Sequence, residues 1–168
     1  MADLLSHVLI AYALTLPLVW AGRVSRRWVP IAMGGAAIPD LVKIELLLDS
    51  GTVENALGVP FSFDSLGTLA GVLLVSGVVA VLFARDHRRR VYLVACYGGS
   101  LSLLVDGLRV WADGYAGFWL YPLWVRLPSP NLYVSSDPRV LVAVLAVAGA
   151  VAAVDRFTAA ERPGSSSP

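Results

Sequence analysis

The chain has 168 residues, of which 57% are hydrophobic and 15% are charged, and its mean hydropathy is +0.71. Ordinary soluble domains are about 45–50% apolar and about 25% charged, so this composition predicts an integral membrane protein. The formal net charge of +1 argues against a nucleic-acid partner, and a single cysteine, Cys96, excludes an intrachain disulfide and a cysteine-rich zinc site.

Five hydrophobic segments follow one another along the chain, near residues 4–21, 28–48, 66–84, 91–108 and 139–154. A bilayer core of about 30 Å takes about 20 helical residues, so each segment is read as a membrane span. We therefore expect an all-α bundle of about five transmembrane helices in one domain, residues 1–155. Residues 156–168 end in Pro-Gly-Ser-Ser-Ser-Pro and are predicted to be a disordered cytoplasmic tail.

The connectors between these segments predict an orientation. Segments 22–27 and 85–90 are rich in arginine, whereas segment 49–65 carries three acids and no base. Because arginine-rich connectors stay in the cytoplasm, the N-terminus is expected outside and the C-terminus inside, at the cell membrane. The long connector 109–138 then faces outward, and its many aromatic residues favour the interface between lipid headgroups and hydrocarbon.

The second segment, 28–48, carries charges in its second half, including Asp40 and Lys43. An aspartate at a helix centre costs on the order of 2.5–3.5 kcal/mol on insertion scales, so Asp40 is expected to be paired, hydrated or bound to a cation. At helical rise, Asp40 lies roughly 18 Å and Asp106 roughly 24 Å from the cytoplasmic edge. His7 enters from the opposite side. We predict that these three residues share a pocket near the outer face.

Two interpretations of this pocket remain open. In the first, His7, Asp40 and Asp106 bind a divalent metal ion such as Zn, Mn or Mg, and the two aspartates act in metal-assisted hydrolysis. Asp64 and Asp137, on outward connectors, are further candidates. The location near the outer face favours membrane lipid, or a lipid-like or phosphoester compound, as the substrate.

In the second interpretation the same groups form a buried ion-pair network in a non-catalytic membrane scaffold or partner-binding protein. Lys43 follows Asp40 by three residues and Arg109 follows Asp106 by three, a spacing that allows a salt bridge on one helix face. A transporter is a weaker alternative, because five spans without an internal repeat provide no alternating-access machinery.

Several short motifs, in this order, resemble a known family. They are MADLLSHVLIAYAL with His7, AAIPDLVKI with Asp40, SLSLLVDGL with Asp106, and YPLW at residues 121–124. Over roughly residues 1–155 the chain resembles the membrane-bound metal-dependent hydrolases of bacteria and archaea, related to LexA-regulated inner-membrane hydrolases. NLYVSSDP resembles a signature of an archaeal branch. The resemblance implies a metal-dependent hydrolase with ligands at His7, Asp40 and Asp106.

The chain departs from this family at two positions. The third span opens with FDSLGTLAGV, where the family has a histidine, and the position four residues before Asp106 is Ser102 instead of histidine. One histidine with two aspartates suits weak Mg or Mn binding better than zinc, which takes three firm protein ligands. The resemblance therefore implies a divergent member, either a weak hydrolase or a pseudoenzyme in which the Lys43 ammonium takes the place of the metal.

Overall fold

The computed structural model describes residues 2–135 and 137–160, and helices are its regular secondary structure, with an irregular connector between residues 108 and 138. The α-helices are α1 (Ala2–Trp20), α2 (Val29–Ala36), α3 (Ser50–Leu57), α4 (Leu69–Val81), α5 (Arg85–Leu108) and α6 (Pro138–Ala160). Three 3-10 helices, η1 (Arg26–Trp28), η2 (Pro39–Leu46) and η3 (Phe63–Gly67), lie between them. No β-strand occurs within these residues, so the all-α class is confirmed.

The predicted second span is not one continuous helix. α2 ends at Ala36, and the chain resumes at Pro39 as the 3-10 helix η2. Proline has no amide hydrogen and cannot continue the α-helical bonding pattern. The carbonyl of Gly35 instead accepts a tighter i to i+3 bond from the amide of Ile38, at 3.0 Å. The polar half of segment 28–48 therefore has 3-10 geometry.

The predicted fourth and fifth spans are longer than expected. α5 begins at Arg85, so the basic segment 85–90, predicted as a connector, is the first part of that helix. The Arg88 side chain donates to the carbonyls of Phe83 and Val81, both at 3.0 Å, and so satisfies acceptors near the end of α4. α6 continues to Ala160, so the predicted disordered tail is helical over 156–160. Residues 161–168 lie outside the described residues.

Among the described helices, two are long and apolar enough to cross a membrane: α5 and the Pro138–Thr158 part of α6. The apolar part of α1, Leu4–Trp20, and the 13-residue α4 are shorter. At ~1.5 Å per residue α4 is roughly 20 Å long, less than a bilayer core of about 30 Å.

Helices α2 and α5 cross at direct backbone contact. A Cβ atom on Gly35 would overlap the carbonyl oxygen of Ala95, and one on Gly98 would overlap that of Ala32. Small residues at a crossing let two helices approach closely. Because Asp106 lies eight residues beyond Gly98 on α5, this crossing brings it towards η2, which follows α2.

Candidate functional site

The three predicted site residues lie together, with Asp40 and Asp106 on either side of the His7 imidazole. His7 is 3% exposed. Its Nδ1 lies 3.1 Å from Oδ2 of Asp40, and its Nε2 lies 3.5 Å from Oδ1 of Asp106. His7 comes from α1, Asp40 from the start of η2 and Asp106 from the last turn of α5. The structure thus brings all three together, while their catalytic and metal-binding roles stay predictions.

A basic side chain lies on the far side of each carboxylate. Lys43 Nζ bonds Oδ1 of Asp40, because residues three apart eclipse one another in a 3-10 helix. Arg109 Nη1 lies 3.8 Å from Oδ1 of Asp106. Basic and acidic side chains therefore alternate along a chain of five residues, Lys43, Asp40, His7, Asp106 and Arg109, called the His7 cluster below.

The donor set does not fit one metal ion held by all three predicted ligands. The two ring nitrogens of histidine point away from each other, and Asp40 faces one of them while Asp106 faces the other. If a metal ion were bound by Nε2 and Asp106, Asp40 would lie on the other side of the ring. Asp40 could then orient the imidazole but could not bind the same ion. Within residues 2–135 and 137–160, no group of three or more His, Cys, Asp or Glu side chains is arranged around a metal position.

A cavity of about 520 Å³ opens beside the His7 cluster. Its polar wall contains four members of that cluster together with Asp64, which lies on η3. Much of the remaining lining is aromatic and comes from the connector that follows α5; it is called the aromatic wall below. The aromatic residues are Trp111, Phe118, Trp119, Tyr121 and Trp124. A volume of this size falls within the roughly 300–1,000 Å³ of small-molecule sites.

Main-chain bonds hold the aromatic wall against two helices. The amides of Leu69 and Ala70, in the first turn of α4, donate to the carbonyls of Trp119 at 2.7 Å and Tyr121 at 2.9 Å. First-turn amides have no partner inside their own helix, so the connector satisfies them. Gly107 of α5 lets Trp119 approach, since a Cβ there would lie 3.3 Å from the indole ring. The sequence reasoning placed these aromatic residues at the membrane interface and missed this wall.

One arginine organises the outer part of the same connector. Arg126 pairs with Asp113, and its guanidinium lies 5.7 Å from the ring centre of Tyr115 and 5.3 Å from that of Phe118. The guanidinium of Arg126 and the amide of Tyr115 hold the pKa of Asp113 below its ordinary value. The pair therefore stays ionised at neutral pH and fixes the loop next to the cavity.

The remaining candidate, Asp137, and the two positions where the resemblance leads one to expect histidine lie as follows. Asp137 accepts a bond from the amide of Arg139 at 2.9 Å, at the start of α6, and is not among the cavity residues. Ser102, where the family has a histidine, is 1% exposed, and its hydroxyl has no hydrogen-bond partner among the described residues. No histidine of the described chain replaces the two that the resemblance leads one to expect, because His87 lies at the other end of α5.

The observations define an all-helical protein with two helices of membrane-spanning length and a charged cluster beside an aromatic cavity. No protein-family model, curated protein or solved structure matches the chain. The resemblance to membrane-bound hydrolases therefore rests on the short motifs alone.

Proposed function

We propose that this chain is a multi-pass protein of the cell membrane, with the N-terminus outside and the C-terminus inside. The exposed apolar surface supports this proposal, since α4 and α6 expose side chains such as Leu74, Val78, Val142 and Phe157. Apolar patches much larger than a few hundred Å² are rare on soluble monomers and mark interaction or membrane surfaces. The arginine-rich segments 22–27 and 85–90 support the orientation. α1, α2 with η2, and α4 complete the five spans as short or interrupted crossings.

We infer that the His7 cluster is an ion-pair network that forms one wall of a ligand-binding cavity, in a protein without hydrolase activity. The observation that carries this inference is that both ring nitrogens of His7 face carboxylates while each carboxylate also faces a base. Buried charges are tolerated when they are paired and hydrogen-bonded. Each acid here has two basic partners, so both carboxylates are paired without a metal ion.

A metal-dependent hydrolase is the second candidate, and the same convergence favours it. Two carboxylates and an imidazole from three separate helices lie next to a cavity. In this arrangement His7 and Asp106 are the pair that could ligate together, with Asp40 orienting the ring. Two protein ligands suit weakly held Mg or Mn better than zinc.

Metal analysis of the purified full-length protein distinguishes the two candidates. We expect metal well below one equivalent in the wild type, and no change in Asp40→Ala. Glu54→Ala is the matched control, because Glu54 is an exposed carboxylate of α3 away from the cavity. One equivalent of metal that is lost in Asp40→Ala and kept in Glu54→Ala would establish a metal site and overturn the ion-pair proposal.

A further inference from the structure

The two cations of the His7 cluster, Lys43 and Arg109, are more exposed to solvent than its two acids. The side chains of Lys43 and Arg109 are 42% and 31% exposed, whereas those of Asp40 and Asp106 are 10% and 24% exposed. Each acid contacts the buried His7 and one of the two more exposed bases. Within the cluster, the two cations are therefore more accessible to a compound in the cavity than the two acids, whereas Asp64 is a further, exposed acid in the cavity lining.

Arg109 is oriented for recognition of an anion. Its guanidinium carbon lies 4.1 Å from the ring centre of Trp111, so an aromatic face supports the guanidinium. Its distance of 3.8 Å from Asp106 is longer than a hydrogen bond, so that contact does not use up its N–H donors. A guanidinium presents five donors in a rigid fork that matches phosphate in a bidentate manner.

The aromatic wall provides apolar surface for the rest of the ligand. Trp124 is 80% exposed and Phe118 is 51% exposed, although both lie on the cavity. Exposed aromatic rings favour contact with the apolar part of a ligand. Asp64 on the polar wall, together with the two acids of the cluster, disfavours a ligand with several negative charges.

We propose that the cavity binds an amphiphile with one singly charged phosphodiester group, which contacts Arg109 and Lys43 while its apolar part lies on the aromatic wall. This inference rests on the proposed ion-pair network, which keeps the cations in place, and names the ligand class of that same site. The phosphodiester chemistry is shared by membrane phospholipids and by soluble phosphodiesters, and the apolar wall favours the lipid.

The test uses the full chain in a neutral maltoside detergent with EDTA, and follows tryptophan fluorescence, since three of the five tryptophans line the cavity. The probes are dihexanoyl phosphatidylglycerol, dihexanoylglycerol and inorganic phosphate. We expect the phospholipid to bind at least ~10-fold more tightly than the uncharged diacylglycerol, in line with hydrogen bonds to a charged group. Inorganic phosphate should not displace it at equal concentration.

Variants assign the binding to the cavity. Arg109→Gln should weaken the phospholipid about 10-fold or more, and Arg109→Lys, which keeps the charge but not the fork, should weaken it less. Arg139→Gln is the control, because Arg139 is an exposed arginine that is not part of the cavity. If Arg109→Gln does not fold, the comparison of the three probes on the wild-type protein still decides.

Each contrary result has its own meaning. Equal affinity for phospholipid and diacylglycerol would overturn phosphate recognition, and displacement by inorganic phosphate would overturn the amphiphile. Absence of phospholipid binding in a metal-free wild-type protein would defeat the ligand proposal alone. Phospholipid binding that appears only when a divalent metal is added would instead defeat the ion-pair network on which the ligand proposal rests.

Discussion

Replacing Lys43 by methionine separates an ion-pair network from a metal site, because it removes the ammonium and keeps a side chain of similar length. The change leaves Asp40, which is 10% exposed, with His7 as its remaining partner, while the lost Lys43 side chain is 42% exposed. Exposed pairs contribute about 0.2–1 kcal/mol, and breaking a buried pair costs about 3–5 kcal/mol. For this half-buried pair we expect Lys43→Met to lower the free energy of unfolding by about 1–2 kcal/mol.

Thermal unfolding of the detergent-solubilised protein measures this loss. At about 2–4 °C per kcal/mol for a chain of this size, the midpoint should fall by ~2–8 °C. Lys43→Arg, which keeps the charge, should unfold close to the wild type. The ion-pair reasoning is refuted if Lys43→Met unfolds at the wild-type temperature and binds an equivalent of divalent metal, because a vacated ammonium position would then be occupied by a cation.

Three further predictions concern other parts of the structure. His7→Ala should lower the free energy of unfolding by about 3–5 kcal/mol, more than Lys43→Met does, because it leaves the carboxylates of Asp40 and Asp106 facing one another. Equal midpoints for the two variants in thermal unfolding would contradict this. Gly35→Ala should cost about 1–3 kcal/mol because its Cβ overlaps the backbone of α5, whereas Gly34→Ala, whose Cβ meets nothing within 4 Å, should gain up to ~1 kcal/mol. An unfolding midpoint for Gly35→Ala at or above that of Gly34→Ala would exclude the close crossing. Arg126→Ala should increase proteolysis of the aromatic connector equally at pH 8 and pH 5. The pKa of its partner Asp113 lies below the ordinary value of about 3.9, so Asp113 is ionised at both pH values and the pair is lost only as the pH falls through that lowered pKa. An effect confined to pH 8 would contradict this.

The helical class and the meeting of His7, Asp40 and Asp106 could be predicted from the sequence. Hydrophobic run length indicates helices, and the cost of an isolated charge among apolar residues requires that such groups find one another. The i to i+3 spacing also identified Lys43 as the partner of Asp40. Position along each predicted hydrophobic segment was enough to predict that the three side chains lie near one another.

The geometry of the site could not be predicted in the same way. Run length gives no sign that Pro39 ends α2 and begins a 3-10 helix, since the hydrophobicity of segment 28–48 continues across it. The aromatic wall depends on two carbonyls of a long connector that bond α4, a contact between segments about 50 residues apart. Which ring nitrogen of His7 faces which acid is likewise set by tertiary packing.

The 3-10 geometry of η2 makes the cluster sensitive to register. Three residues complete one turn, so the acid at 40 and the base at 43 stand in line along the helix axis. Inserting one residue between them would swing the ammonium by about 120° around the axis and out of line with the carboxylate. An exchange of the two side chains would keep the pair but turn the imidazole of His7 towards a cation. The order of charges along η2 is therefore as decisive for this site as their identity.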